Sequence, residues 1–398
     1  MTAIDFDLYD HAIQDDPYPV YARLRDEAPL FHQVEHDYWV ISRHADVHAA
    51  TRDDETLSNR MGVSLDPSAW NEHAHTVMSF LAMDPPEQVR LRRLVSKGFT
   101  PRRVRDLGPR VQQLTDDYLD QALASGSLDW VMDFAGRLPM DVISEMMGVP
   151  VADRDEVRRL ADLVVHREDG LRDVPAAGME AAMSLFDYYK TFVAEKRRNP
   201  ADDLTSALLN AEDEGKRMTE DEINAFLFLM VVAGNETTTK LLGNAVFHLS
   251  QHREQQAEVL ADPALVSPWI EETLRHDTSS QFVARLLVKD LTLHGRTAPA
   301  GSKLLLALGA ANHDDRVFTT PETFDLHRDP DELGQILSFG GGRHFCLGAN
   351  LARMESRIAL ESLVARVSDF DIDHDACARF YSANVRGFTH VPMKVTLR

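Results

Sequence analysis

Phe339-Gly340-Gly341-Gly342-Arg343-His344-Phe345-Cys346-Leu347-Gly348 is the stretch on which the reading of this 398-residue chain turns. It follows the pattern Phe-x-x-Gly-x-x-x-Cys-x-Gly and sets one cysteine between a glycine-rich turn and the helix-like run Ala349 to Val367. Glycines let a backbone turn tightly and approach a flat object without Cβ contacts. A cysteine just before a helix meets unpaired N–H groups and the positive end of the helix dipole, which favour thiolate over thiol. A thiolate in a tight backbone cradle suits an axial iron ligand. The same residues also admit an ordinary turn ahead of a helix, with the thiol as a small hydrophobe.

A second stretch lies upstream. Thr219-Glu220-Asp221-Glu222 is a capping box, with Thr at the cap and Glu three residues on. The helical pattern after it runs from Ile223 to about His252, roughly 45 Å at 1.5 Å per residue. Its middle reads Ala233-Gly234-Asn235-Glu236-Thr237-Thr238. Gly and consecutive Thr are poor interior choices, costing about 2 kcal/mol relative to alanine. Thr237 can bond back to the Ala233 carbonyl and open the ladder. Such a place is a packing kink or an acid–alcohol pair for proton delivery. Phe226, Met230, Ala233 and Thr237 share its face.

Helical periodicity dominates from Pro86 to about Gln256, and a further helix is expected over Ser267 to His276. Tyr21 to Asp26 reads as a short helix, Tyr38 to Ile41 as a short strand, and residues 57 to 83 as irregular. β-like segments recur at Ala284 to Leu293 and Val391 to Leu397. The expectation is a mainly α fold with small sheets at both ends, one domain over residues 1–398, and a long central helix.

The start of the chain has no basic region followed by an apolar run, and no stretch approaches the roughly 20 apolar residues that span a bilayer. Two cysteines, Cys346 and Cys377, give no disulfide framework, which fits a reducing cytoplasm. Cys377, in a polar stretch, reads as incidental. A net charge of −22 disfavours nucleic-acid binding. Yet Arg90, Arg92, Arg93, Lys97, Arg102, Arg103, Arg105 and Arg110 stand against the single acid Asp106 between Gln88 and Arg110. This is a solvated helix face or a docking patch for an acidic partner.

The cysteine loop, the Ala-Gly-Asn-Glu-Thr segment and Glu272-Thr273-Leu274-Arg275 stand in an order and spacing that resemble the cytochrome P-450 superfamily over essentially the whole chain. The resemblance implies a haem, iron protoporphyrin IX (haem b), with Cys346 as its iron ligand and the long helix crossing over it. Phe339, His344 and Gly348 of the loop, with Ala233 and Gly234 of the helix, would border the cofactor. Glu236 would be the acid and Thr237 the alcohol. Glu272 and Arg275 would lock their helix to the loop before the ligand, with Arg328 as the third member. Arg92, Arg285 and His344 match the propionate donors. Gln88 stands where relatives carry a histidine, so it brings no positive charge there. Ser279 replaces a common proline in a stretch that lines the substrate pocket. Further pocket candidates are Met61 to Leu81, Leu163 to Val193, Ser279 to Val283, and Phe388-Thr389.

The function implied is a soluble, cytoplasmic bacterial monooxygenase that hydroxylates or epoxidises a mostly apolar small molecule. The chain is too short for a fused reductase, so a ferredoxin and an NAD(P)H-dependent ferredoxin reductase are the expected partners. A monomer is expected, with no nucleic acid and no membrane. The alternatives are a peroxide-driven peroxygenase, a haem module that senses gas or stores haem, and a Cys-nucleophile hydrolase. The Glu236-Thr237 pair argues against the first, that pair and the basic patch against the second, and the lack of a local signature against the third.

Overall fold

The computed structural model describes residues 4–168 and 171–398. The capping box forms as expected: Thr219 accepts from the Glu222 amide and the Glu222 side chain reaches back to the Thr219 amide. The helix it opens runs Glu220–Ser250, 31 residues. Its apolar residues are not confined to one stripe, because helices Leu138–Met147, Ala176–Arg198 and Val266–His276 pack around it. Trp130 Nε1 and Trp269 Nε1 donate to its carbonyls at Leu242 and Ala245, 3.0 and 2.9 Å away. Among the described residues no helix is long and apolar enough to cross a membrane.

Helix Tyr18–Glu27 starts three residues earlier than its apolar pattern suggests, behind Pro17. Helices Val266–His276 and Ala349–Arg366 fall within a residue of their expected bounds. Val367 leaves the last helix to begin the strand Val367–Ile372, which pairs antiparallel with Pro392–Leu397.

Small sheets accompany the helices as expected, and one of them joins the two ends of the chain. Five strands form one sheet, in the order Leu30–Gln33, Tyr38–Ile41, Lys303–Ala307, Phe282–Leu287, Leu57–Ser58. Tyr38–Ile41 runs parallel to Lys303–Ala307, a pairing across more than 260 residues that local periodicity does not encode. The sheet is buried on both faces. Tyr38, Val40, Leu305 and Ala307 pack with Phe6 and Tyr21 on one side. Trp39, Ile41, Leu304 and Leu306 pack with Leu30 and Leu287 on the other. Alternate residues thus feed two cores, which is why the strands read as unbroken apolar runs.

The Glu-x-x-Arg pair locks as expected. Arg275 grips Glu272 through two bonds of 2.7 and 2.8 Å, and Arg328 Nε donates to Glu272 Oε2 at 2.9 Å. Arg275 also donates to the carbonyls of Asn312, Pro321 and Thr323, tying the segment ahead of the cysteine loop to this helix.

Candidate functional site

A cavity of about 1490 Å³, counting the space at its mouth, separates the long helix from the cysteine loop. Phe226, Leu229, Met230, Ala233, Gly234 and Thr237 line one wall, so the face anticipated at four-residue spacing is the face that looks inward. Phe339, Gly340, His344, Cys346 and Gly348 line the opposite wall.

The Cys346 amide donates to the Phe339 carbonyl at 3.0 Å, which closes the loop. The sulfur faces the cavity, enclosed by protein on its other sides. The amides at the helix start act on the sulfur in the thiolate's favour, against burial. Burial raises the thiol, against the amides of Gly348 and Ala349 and the charges of Arg92 and Arg353. Cys346 would hold an iron cation, which would add positive charge favouring the thiolate.

The glycines also have another reason than closeness to a flat ligand. Gly340 and Gly342 hold φ of +67° and +59°, the left-handed region that disfavours side chains. A Cβ on Gly341 would lie 2.4 Å from Thr51 Oγ1, and one on Gly342 2.2 Å from the Thr51 carbonyl oxygen. The loop is pressed against the end of helix His44–Ala50, and that contact, not the cavity, forbids side chains.

Three basic side chains border the cavity: Arg92, Arg285 and His344. Arg92 donates to the Phe345 carbonyl at 2.7 Å and lies over the Phe80 ring. Arg285 is pushed down to about 10 by burial, against the charges of Asp84 and Asp54. His344 is pushed down to about 3, first by burial and then by Arg285, Arg92 and Arg343, and its Nδ1 has no partner. This wall is short of negative charge. A haem fits the donor set: the Cys346 sulfur toward the iron, and Arg92, Arg285 and His344 toward the two propionates.

Gln88 departs from its expected place. It is buried, does not line the cavity, and donates from Nε2 to the Arg343 carbonyl at 2.9 Å, bracing the cysteine loop from behind. Thr237 does line the cavity, with Oγ1 donating to the Ala233 carbonyl at 3.1 Å. Glu236 is 8% exposed, is not part of the lining, and pairs with Lys240.

Of the pocket candidates, Val63, Phe80 and Leu81, and Ser279, Ser280 and Val283, line the cavity. None of the described residues of Leu163 to Val193 lines it, nor do Phe388 and Thr389; residues 169 and 170 lie outside the described residues. Residues 154–165 and 176–198 are helices whose buried side chains pack into the core. Glu355 escaped sequence reasoning. It borders the cavity one turn beyond Leu351, makes no polar contact with another described residue, and burial drives its carboxyl well above the usual range. An acid on the apolar stripe Leu351, Glu355, Ile358 was its signal.

The basic segment is partly neutralised within the chain. Arg90 pairs with Glu222 and Glu87, Arg93 with Asp213 and Glu214, and Arg110 with Glu145. Arg102, Arg103 and Arg105 stay exposed at the start of helix Pro101–Ala122, with only a 3.8 Å approach of Arg102 to Asp106. That helix packs along Ala349–Arg366, the helix that starts beside Cys346.

Residues 176–375 match the family model described as cytochrome P450. The putative cytochrome P450 123 of Mycobacterium tuberculosis is 54% identical over 393 residues, 98% of this chain and 97% of that one. Cytochrome P450 109 of Bacillus spizizenii is 34% identical over 389 residues, 96% of this chain and 92% of that one. The structure of CYP109Q5 from Chondromyces apiculatus matches with a TM-score of 0.89 at 32% identity, covering 99% of each chain. With the cysteine loop, the basic wall and the Ala233–Thr237 turn of the long helix brought to one cavity, the chain belongs to the cytochrome P450 family of haem monooxygenases.

Proposed function

We propose that this chain is a cytoplasmic monooxygenase that holds haem b through Cys346 and hydroxylates or epoxidises an uncharged, mostly apolar small molecule. The observation that carries the reading is a cavity with the Cys346 thiol on one wall and the Ala233–Thr237 turn on the other. The haem, when bound, supplies the splitting of O2 with two electrons and two protons, one oxygen atom entering substrate and one leaving as water.

The protein's own part follows from its side chains. Arg92, Arg285 and His344 orient the cofactor by its carboxylates. Thr237 gives its hydroxyl proton to the Ala233 carbonyl, which leaves its lone pairs free to accept. Glu236, the next residue, is the acid that resupplies protons toward that hydroxyl. Val63, Phe80, Leu229, Met230 and Val283 exclude water and hold an apolar body, while the hydroxyl-bearing residues Thr278, Ser279 and Ser280 border the same cavity. The basic residues on the wall are those assigned to propionates, which argues against a carboxylate substrate. Relatives support an apolar one. CYP109E1 from Bacillus megaterium, 30% identical, has a structure in complex with corticosterone. A protein of Pseudonocardia autotrophica, 36% identical, is named vitamin D(3) 25-hydroxylase. Electrons come from a ferredoxin reduced by its NAD(P)H-dependent reductase, docked near Arg102, Arg103 and Arg105.

The test is spectroscopic. Purified protein reduced under carbon monoxide should give the strongly red-shifted band of thiolate-ligated haem, and Cys346→Ala should abolish it. A folded protein that takes up no haem would end this reading.

A further inference from the structure

Lys240 stands one helical turn beyond Glu236 and is 4% exposed. Its ammonium lies 3.0 Å from Glu236 Oε2, donates to the Phe388 carbonyl at 3.2 Å, and sits 4.1 Å above the Phe380 ring. Glu236 Oε2 receives no aligned hydrogen bond from any described residue, so the lysine is the charge that compensates it. A buried lysine needs such a partner as much as the carboxylate does.

The lysine is seated in a socket built for it. Strands Ala378–Phe380 and Gly387–His390 form a hairpin with Phe380 opposite Gly387. A Cβ on Gly387 would lie 2.5 Å from Lys240 Cβ and within 3 Å of its Cγ and Cδ. Gly387 is not among the glycines with positive φ, so the space taken by the lysine, and not the backbone, requires glycine there. Other charges face the pair. Asp162, on helix Arg154–Val165, is raised to about 6 by burial and by the charge of Glu236, against Lys240 and Arg158. From the hairpin side Arg379 lies 4.0 Å over the Phe388 ring and turns to Asp277, 3.5 Å away.

We propose that Lys240 is a positioning residue for proton delivery: as the counter-charge of Glu236 it ties that carboxylate to the C-terminal hairpin and so fixes it beside Thr237. The inference rests on the proton-relay reading of Glu236 and Thr237 given above. The hairpin thereby acts on the reaction without lining the cavity at Phe388.

Two readouts on the haem-loaded protein test it. In Lys240→Met, Glu236 is left buried without a cation and should take up a proton. The infrared difference spectrum against wild type, in which the unchanged signal of buried Glu355 cancels, should gain a protonated-carboxyl band that the Glu236→Gln/Lys240→Met double variant does not give. In substrate-free turnover with a surrogate [2Fe–2S] ferredoxin, its reductase and NADPH, the fraction of O2 reduced to water rather than peroxide should fall about tenfold. Lys240→Arg should restore most of it, and in a Glu236→Gln background Lys240→Met should lower it no further. Gly387→Ala, which displaces the lysine stem without touching a charge, should move both readouts the same way and carries the test if Lys240→Met loses haem. Both readouts unchanged in Lys240→Met or Gly387→Ala would overturn the proposal, as would an equal fall with and without Glu236. If Glu236→Gln itself leaves the water fraction intact, the relay reading fails and this inference with it. If Glu236→Gln uncouples and Lys240→Met does not, only the role of the lysine fails.

Discussion

At Thr237 the hydroxyl donates to the Ala233 carbonyl at 3.1 Å, so its oxygen is presented to the cavity with lone pairs unused. That arrangement needs a helix, to bring the carbonyl of residue 233 within reach of the hydroxyl four residues on, and the helix runs unbroken through both. Thr237→Ala removes one oxygen from a wall and leaves the cysteine loop alone. The variant should keep the carbon-monoxide band and the binding of ligands, while NAD(P)H oxidation yields hydrogen peroxide in place of product. Unchanged product per NAD(P)H would take Thr237 out of the proton path. The glycines of the loop differ among themselves at the same scale. Gly340 has open space around a would-be Cβ, whereas Gly341 and Gly342 are shut against Thr51.

At the scale of elements, two segments meet at one carboxylate. Glu272 has no exposed side-chain surface and is held by Arg275 from its own helix and by Arg328 from the stretch ahead of the cysteine loop. Arg328 also donates to the Thr319 and Thr323 carbonyls and pairs with Glu332 at 2.9 Å. Burial would lower Arg328, but Glu272 and Glu332 hold it above its ordinary value. Removing one partner of a buried ion pair strands the other, so Arg328→Met should cost about 3 kcal/mol. Denaturant unfolding measures that loss, and poor haem retention should accompany it because the cysteine loop hangs on the same segment. A variant as stable as the parent would show that Arg275 alone suffices.

For the whole molecule two consequences follow. Asp277, at the end of helix Val266–His276, joins distant parts of the chain: Tyr18 Oη donates to it at 2.8 Å, His248 Nε2 lies 2.8 Å away, and Arg386 Nε donates at 2.7 Å. Burial would raise Asp277, but Arg386, His248 and Arg379 hold it well below the usual carboxylate range. Burial pushes His248 down despite Asp277, and pushes His276 well down with help from His248, His313 and Arg275. The unfolded chain binds protons on these histidines from about pH 6.5 downward while the folded chain refuses them. Stability should therefore fall as pH drops through about 6.5, and Asp277 should add its own loss only below its unfolded value near 3.9. Denaturant midpoints measured from about pH 7.5 to about 5 should decline steadily, and His276→Gln should flatten the decline; a level profile would contradict the argument. The second consequence concerns the electron donor. With Arg90 and Arg93 engaged inside the chain, steering falls to Arg102, Arg103 and Arg105. Reversing two of these three to Glu should slow reduction by ferredoxin and flatten its dependence on salt, which screens over about 8 Å at physiological strength. Peroxide-driven turnover should stay level. Reduction indifferent to both changes would move the docking face elsewhere.

What the sequence determined by itself is what neighbours along the chain decide. The capping box and the bond from Thr237 to the Ala233 carbonyl are local, and both formed where the residues foretell them, while the helix runs on unbroken where an opening was expected. The cysteine loop and the Glu272–Arg275 spacing are local too, and the basic wall of Arg92, Arg285 and His344 followed from their likeness to a known pattern. Tertiary structure decided whatever depends on partners hundreds of residues away. Only the fold could show that Gln88 braces Arg343 from behind, that Thr51 is what the loop glycines avoid, or that Glu222 neutralises Arg90. The two-faced sheet joining residues 38–41 to 303–307 belongs to the same class. So does the seat of Lys240: its place one turn beyond Glu236 is local, but the hairpin that buries the pair and accepts from its ammonium is packed there by the fold. Charges and contacts act through space over a few ångströms, and the chain path that brings them that close is not written in the spacing of any single segment.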